Sequence, residues 1–237
     1  MNQFETTRTD SATKQVDAGL RKHMNNIYAK MTAGVLVTAI TALVISSSDL
    51  LLKLFLGGPQ AFAFALAPAA VMWFGFRPEK HSASKLQLAF FVISVLYGIS
   101  FASISYLATN DPAYASSVAK AFFIVTSMFA GLSIFGYTTK KDLSGFRTFL
   151  VMGIMGLFGF SIINMFFQND MMTNIIAFAG IPLFAGLTVW QTQDMKRMYS
   201  ANLPPEMAQR YGWAAALNLY VSFIAMFQYI LHFLNQR

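Results

Sequence analysis

Along the chain, long apolar runs alternate with short polar joints. Seven runs read as helices, at 31–48, 61–76, 86–108, 119–137, 148–167, 173–190 and 213–234. About 20 apolar residues at 1.5 Å each cross the ~30 Å hydrocarbon layer of a bilayer, and the runs match that length. The second is the shortest, which suits a span with little tilt or a locally thin membrane. The period-two alternation that marks a β-barrel wall is missing. The pattern therefore predicts an all-α membrane protein, a seven-transmembrane-helix bundle.

No joint is long enough to hold a second domain, so residues 28–237 read as one bundle behind a polar N-terminal tail, 1–27. Within that tail, Gly19 to Ile27 could begin a short surface helix. Turns are expected at Gly57-Gly58-Pro59, Asn110-Asp111-Pro112 and Gln168-Asn169-Asp170, and Pro204-Pro205 leads into the last helix. Pro68 and Pro182 fall inside spans two and six, where each removes a backbone hydrogen bond and is expected to kink its helix. Such a kink either lines a cavity or is a packing feature whose freed carbonyl a neighbour satisfies. Gly153, Gly156 and Gly159 give span five a nearly flat face, for close helix packing or for a gate. Trp73, Trp190 and Trp213 lie near run ends, where indoles favour the interface.

Charge adds a topology. Of the 17 Lys and Arg residues, the great majority precede the first run or occupy the joints after the second, fourth and sixth. Lys53, Lys120 and Arg237 are the exceptions. Cations collect in cytoplasmic joints, so the N-terminus is expected inside and the C-terminus outside. A composition 56% hydrophobic and only 11% charged is too apolar to coat a soluble globule. The net charge of +7 is divided among several joints, which argues against a nucleic-acid surface.

Catalytic chemistry finds little to work with. The chain has no cysteine, and His23, His81 and His232 are far apart in sequence. Gly131-Leu-Ser133-Ile-Phe135 lacks the last glycine of a nucleophile elbow. All ten acidic residues fall in tails, joints or run ends, leaving mid-membrane without an ionisable group of the kind that pumps and transporters use. The reading is a non-enzyme with no cofactor and no resident metal. Arg147 reads as an anchor for lipid phosphate, and His232 as an interfacial histidine or an external pH sensor.

Three stretches carry a family resemblance: Gly19-Leu-Arg-Lys-His-Met-Asn-Asn-Ile-Tyr28, Phe135-Gly-Tyr-Thr-Thr-Lys-Lys-Asp-Leu-Ser-Gly145, and Trp190-Gln-Thr-Gln193 with Leu219-Tyr-Val-Ser-Phe-Ile224. They resemble the bacterial branch of the Bax inhibitor-1 family, also called the transmembrane Bax inhibitor motif family. The resemblance implies seven helices with the last near the centre, in the bacterial inner (plasma) membrane. It also implies a pH-sensitive calcium leak channel or, as in some bacterial members, a regulator of a membrane-anchored AAA protease.

One departure from the family pattern changes the functional expectation. In conducting relatives, an aspartate in the sixth helix pairs with one in the seventh; here Gln191 and Ser222 stand at those positions. Two close acids share a proton and titrate together, whereas Gln and Ser do not titrate at all. They can still bond helix to helix, but a neutral site holds calcium weakly. Asp194 lies three residues beyond Gln191, either as a displaced acid at the inner mouth or as a solvated residue balanced by Lys196 and Arg197. Two classes stay open: a weak or pH-insensitive leak for calcium or another cation, gated by helices six and seven, and a non-conducting regulator that binds a membrane protein.

Overall fold

The computed structural model describes residues 3–200 and 203–236, with side chains from Ala18 onward. Every regular element among the described residues is a helix: α1 Gln3–Ser46, α2 Asp49–Leu56, α3 Gln60–Ala70, α4 Ala83–Ser100, α5 Ala102–Asn110, α6 Pro112–Thr138, α7 Ser144–Phe167, α8 Asp170–Met198 and α9 Pro205–Leu234. A π-helical turn, Val71–Gly75, extends α3. Among the described residues, six helices are long and apolar enough to cross a membrane. A seventh span exists if α2 and the segment Gln60–Gly75, bent by 72° from one another, count as one.

Helix ends are set by the expected turn residues. Asp111 Oδ1 accepts from Ala113 N at 2.8 Å, and Pro112 takes the first position of α6, where its missing N–H costs nothing. Asn169 Oδ1 accepts from Met172 N at 3.0 Å to cap α8, while Gln168 closes α7 at φ 49°. Pro68 removes the N–H that would bond Phe64 O, and Ser100 Oγ of α4 donates to that carbonyl at 3.1 Å. α3 runs on through Pro68 into the π turn, so this proline is a packing feature whose freed carbonyl a neighbouring helix satisfies. Pro182 lies on an exposed face of α8, which runs unbroken through it.

α9 is the centre, packing against α1, α4, α6 and α8. Over half of its apolar stretch (56%) is buried, against 11% for the peripheral α7. Close approach needs glycine at two crossings. A Cβ on Gly98 would meet Thr41 Cβ at 2.5 Å between α4 and α1, and one on Gly136 would meet Val189 O at 2.5 Å between α6 and α8.

Several expectations are corrected. The polar lead does not stop short of the first span at residue 27: α1 is continuous, and Met24 and Ile27 are buried in the core because they fall on its inward stripe. Span two stands where expected, as Gln60–Gly75, but the joint before it is the apolar helix α2, bent by 72° from the span, rather than a loop. Gly153 packs on Leu183, but Gly156 and Gly159 face open space, because α7 touches the bundle through α8 and only one side of it is covered. Trp213 lies in the core, with Lys30 Nζ 4.4 Å above its ring, not at an interface.

Candidate functional site

The seam between α8 and α9 brings together the two residues singled out by sequence. Ser222 Oγ donates to Gln191 Oε1 at 3.1 Å, and both side chains are buried. Ser222 comes from the central helix, and Gln191 sits on the buried face of α8 beside Thr188 and Thr192. Tyr28 Oη reaches Thr192 Oγ1 at 3.5 Å, tying α1 to the same face.

Nearby on α9, Tyr220 is fully buried and its hydroxyl lies 2.7 Å from Thr38 Oγ1. Thr38 Oγ1 is also 3.0 Å from the carbonyls of Gly34 and Ser94. The hydroxyl pair therefore joins α1, α4 and α9 where the membrane offers no water to take its place. Sequence reading missed this hub. A threonine and a tyrosine on spans one and seven carry no spacing signal that links them.

Two cavities flank the α8–α9 seam. One, about 330 Å³, is lined by Glu79, Arg147, Trp190, Gln191, Asp194 and Asn218. The other, about 490 Å³, includes Asn164, Asp170, Gln228, Tyr229 and His232. Between them α8 and α9 are in contact: Tyr229 packs over Gly180, its ring 6.1 Å from Phe184, and the Ser222–Gln191 bond lies beyond. At 1.5 Å per residue, Gly180 and Gln191 are about 16 Å apart along α8, so the closed stretch is roughly half a bilayer core.

Asp194 is half-buried at the first cavity, within reach of the charges on Arg147 and Arg197. Arg147 lies over the Trp190 ring at 5.3 Å, so it walls the cavity as well as marking the surface. With Glu79, Asp194 gives the cavity two carboxylates, fewer oxygens than the six to eight calcium prefers. Among the described residues, no group of three His, Cys, Asp or Glu stands close enough to hold a metal ion. His232 Nε2 lies 2.8 Å from Asn174 Oδ1 and also contacts Gln236, which makes it a bonded end residue in this state.

The basic joints meet at the end of the bundle that holds Asp194. Arg197 pairs with Asp142 at 2.8 Å, Glu206 Oε1 accepts from Ala83 N at 2.9 Å, and the His23 ring lies 5.5 Å from that of Tyr199. Gln193 clamps the joint between α6 and α7, donating to Lys141 O at 2.7 Å and accepting from Leu143 N at 3.0 Å. Lys196 Nζ donates to Tyr137 O at 3.0 Å. Hydrogen bonds at this end of α8 thus fix the joint inside the stretch 135–145.

An all-helical bundle around a buried central helix, with a polar contact closing a seam between two cavities, defines a polytopic α-helical membrane protein. The family model for "Inhibitor of apoptosis-promoting Bax1" matches residues 20–237, so the chain belongs to the Bax inhibitor family. The inner membrane protein YbhL of Escherichia coli K12 is 31% identical, covering 97% of each chain. An uncharacterized Caulobacter vibrioides protein is 35% identical over 94% of this chain and 92% of its own. The Rickettsia prowazekii protein RP147 is 30% identical over 98% and 97%.

Proposed function

We propose that the protein is a cation leak of the bacterial inner membrane in which a neutral latch, Ser222 with Gln191, takes the place of a titrating acid pair. The carrying observation is the 3.1 Å bond between them in the closed seam separating the two cavities. Calcium is the favoured cargo, met at the first cavity by Asp194 and Glu79 rather than at mid-membrane. A hydroxyl and an amide keep their charge state from pH 5 to 8, so conduction is small and insensitive to pH. The gathering of basic joints at the Asp194 end supports a cytoplasmic placement for that end, with the N-terminus inside and the C-terminus outside.

Purified protein in liposomes loaded with a calcium dye tests this reading. A slow flux with the same rate at pH 6 and pH 8, lowered by Asp194→Asn, supports it. Flux that rises severalfold between the two pH values contradicts it.

A second reading, a non-conducting regulator of a membrane-anchored AAA protease, has its own support. α1 runs as a helix from Gln3 ahead of the first apolar run, 31–48, and α7 leaves most of its apolar surface uncovered. In that case co-purification with such a protease survives while flux is undetectable.

A further inference from the structure

α1 and α6 both pack on α9, and a groove runs between them. Its wider part, about 580 Å³, is lined mainly by apolar side chains, with Arg21 at the rim and Tyr28, Phe129, Ser133, Tyr137 and Phe223 along it. Through Val35, Phe122 and Phe223 it continues into a second apolar pocket of about 460 Å³. From Arg21 to Val35 the groove follows α1 for about 21 Å, at 1.5 Å per residue. One leaflet with its headgroup layer is half of ~40–45 Å, the same length.

Ser133 is only 8% exposed, lines this groove, and its Oγ has no hydrogen-bond partner among the described residues. That is unusual here: the hydroxyls of Ser94, Ser100 and Ser161 all donate to the carbonyl four residues back. A buried hydroxyl left unpaired is unfavourable, and it points to a partner from outside the chain. By helical rise, Ser133 sits about 8 Å inside the end of α6 at Thr138, close below a headgroup layer ~5–8 Å deep. Ester carbonyls of a glycerophospholipid lie at that depth. Arg21, exposed and in no ion pair among the described residues, stands at the rim where the phosphate would be.

We propose that this groove is a binding site for one anionic glycerophospholipid. Arg21 holds the phosphate, Ser133 Oγ donates to an ester carbonyl, and an acyl chain lies along Phe129 and Phe223. Two separated polar contacts, at rim and at ester depth, favour a phospholipid over a free fatty acid, whose single carboxylate meets only one of them.

Native mass spectrometry of the full chain in mild detergent, titrated with phosphatidylglycerol or phosphatidylcholine, tests the site. The expected result is one phospholipid per chain, with the anionic lipid preferred about fivefold, the effect of one cation near a headgroup. Arg21→Gln erases that preference, and Ala130→Trp, which fills the groove from the exposed side of α6, lowers retention at least tenfold. Thr126→Trp one turn away is the parallel blocker, and thermal unfolding of each preparation identifies any variant that has not folded. The proposal is overturned by no stoichiometric lipid on the native chain, by equal retention in a folded blocked variant, by a preference that survives Arg21→Gln, or by a fatty acid competing as well as the phospholipid.

Discussion

Ser222 of α9 donates a 3.1 Å hydrogen bond to Gln191 of α8, and the same two helices are joined near the far end by His232 and Asn174, 2.8 Å apart. Inside a bilayer such a bond contributes about 0.6–2 kcal/mol, since the separated groups have few other partners. Ser222→Ala and Gln191→Leu are each expected to destabilise the bundle by about that amount, and a double-mutant cycle by unfolding in detergent reports a coupling of the same size. A coupling near zero means that the two side chains do not hold the seam.

The Thr38–Tyr220 pair supports three helices at once. Thr38→Val leaves the fully buried Tyr220 hydroxyl without its 2.7 Å partner, at a cost of about 1–3 kcal/mol. Ser94 remains as a second hydrogen-bond partner of that hydroxyl, so the loss is expected near the low end of this range, and adding Tyr220→Phe should recover part of it, read as the midpoint of chemical unfolding.

Ser100 and Pro68 make a linked pair across α4 and α3. Ser100→Ala leaves Phe64 O unpaired and costs about 1 kcal/mol, whereas in a Pro68→Ala background the restored N–H can take that carbonyl. The cost of the serine change should then shrink, and an undiminished cost in the double variant argues against the assignment.

Asp142 joins the α6–α7 joint to α8. Its carboxylate is held well below the ordinary range by hydrogen bonds from Ser144 and by the Arg197 guanidinium. A depressed carboxylate stabilises the fold above its unfolded pKa of ~3.9 and loses that contribution as pH falls below it. Protection of the 139–143 joint in limited proteolysis is therefore expected to stay level from pH 8 to 5 and to fall in more acid solution. Asp142→Asn shows the weakened state already at pH 7, and Gln193→Ala frees the same joint by removing both of its clamping bonds.

The all-helical, membrane-crossing character was legible because bilayer thickness acts on composition alone; among the described residues, six of the seven expected spans stand as single helices, and the seventh depends on counting α2 with Gln60–Gly75. The Gln191–Ser222 contact was legible too, through the motifs around it, and the structure places the two side chains in hydrogen-bond contact. The Gly153-Gly156-Gly159 face misled because spacing shows a flat stripe and not which side of α7 a neighbour covers. Residues 18–27 misled in a similar way: their mean polarity hid the inward stripe of Met24 and Ile27. The Thr38–Tyr220 hub and the groove beside Ser133 depend on which helices become neighbours, information carried by packing and absent from any local pattern.

On the function proposed above, the neutral pair leaves the closed seam indifferent to pH. Calcium flux into dye-loaded liposomes, measured at pH 6 and pH 8 for the native protein beside Gln191→Asp with Ser222→Asp, tests it most directly. Two acids about 3 Å apart share a proton and separate as both ionise, so the double variant is expected to conduct with a clear pH dependence while the native protein stays slow and flat. A native protein that already conducts with that pH dependence would rule out a neutral latch at Ser222 and Gln191.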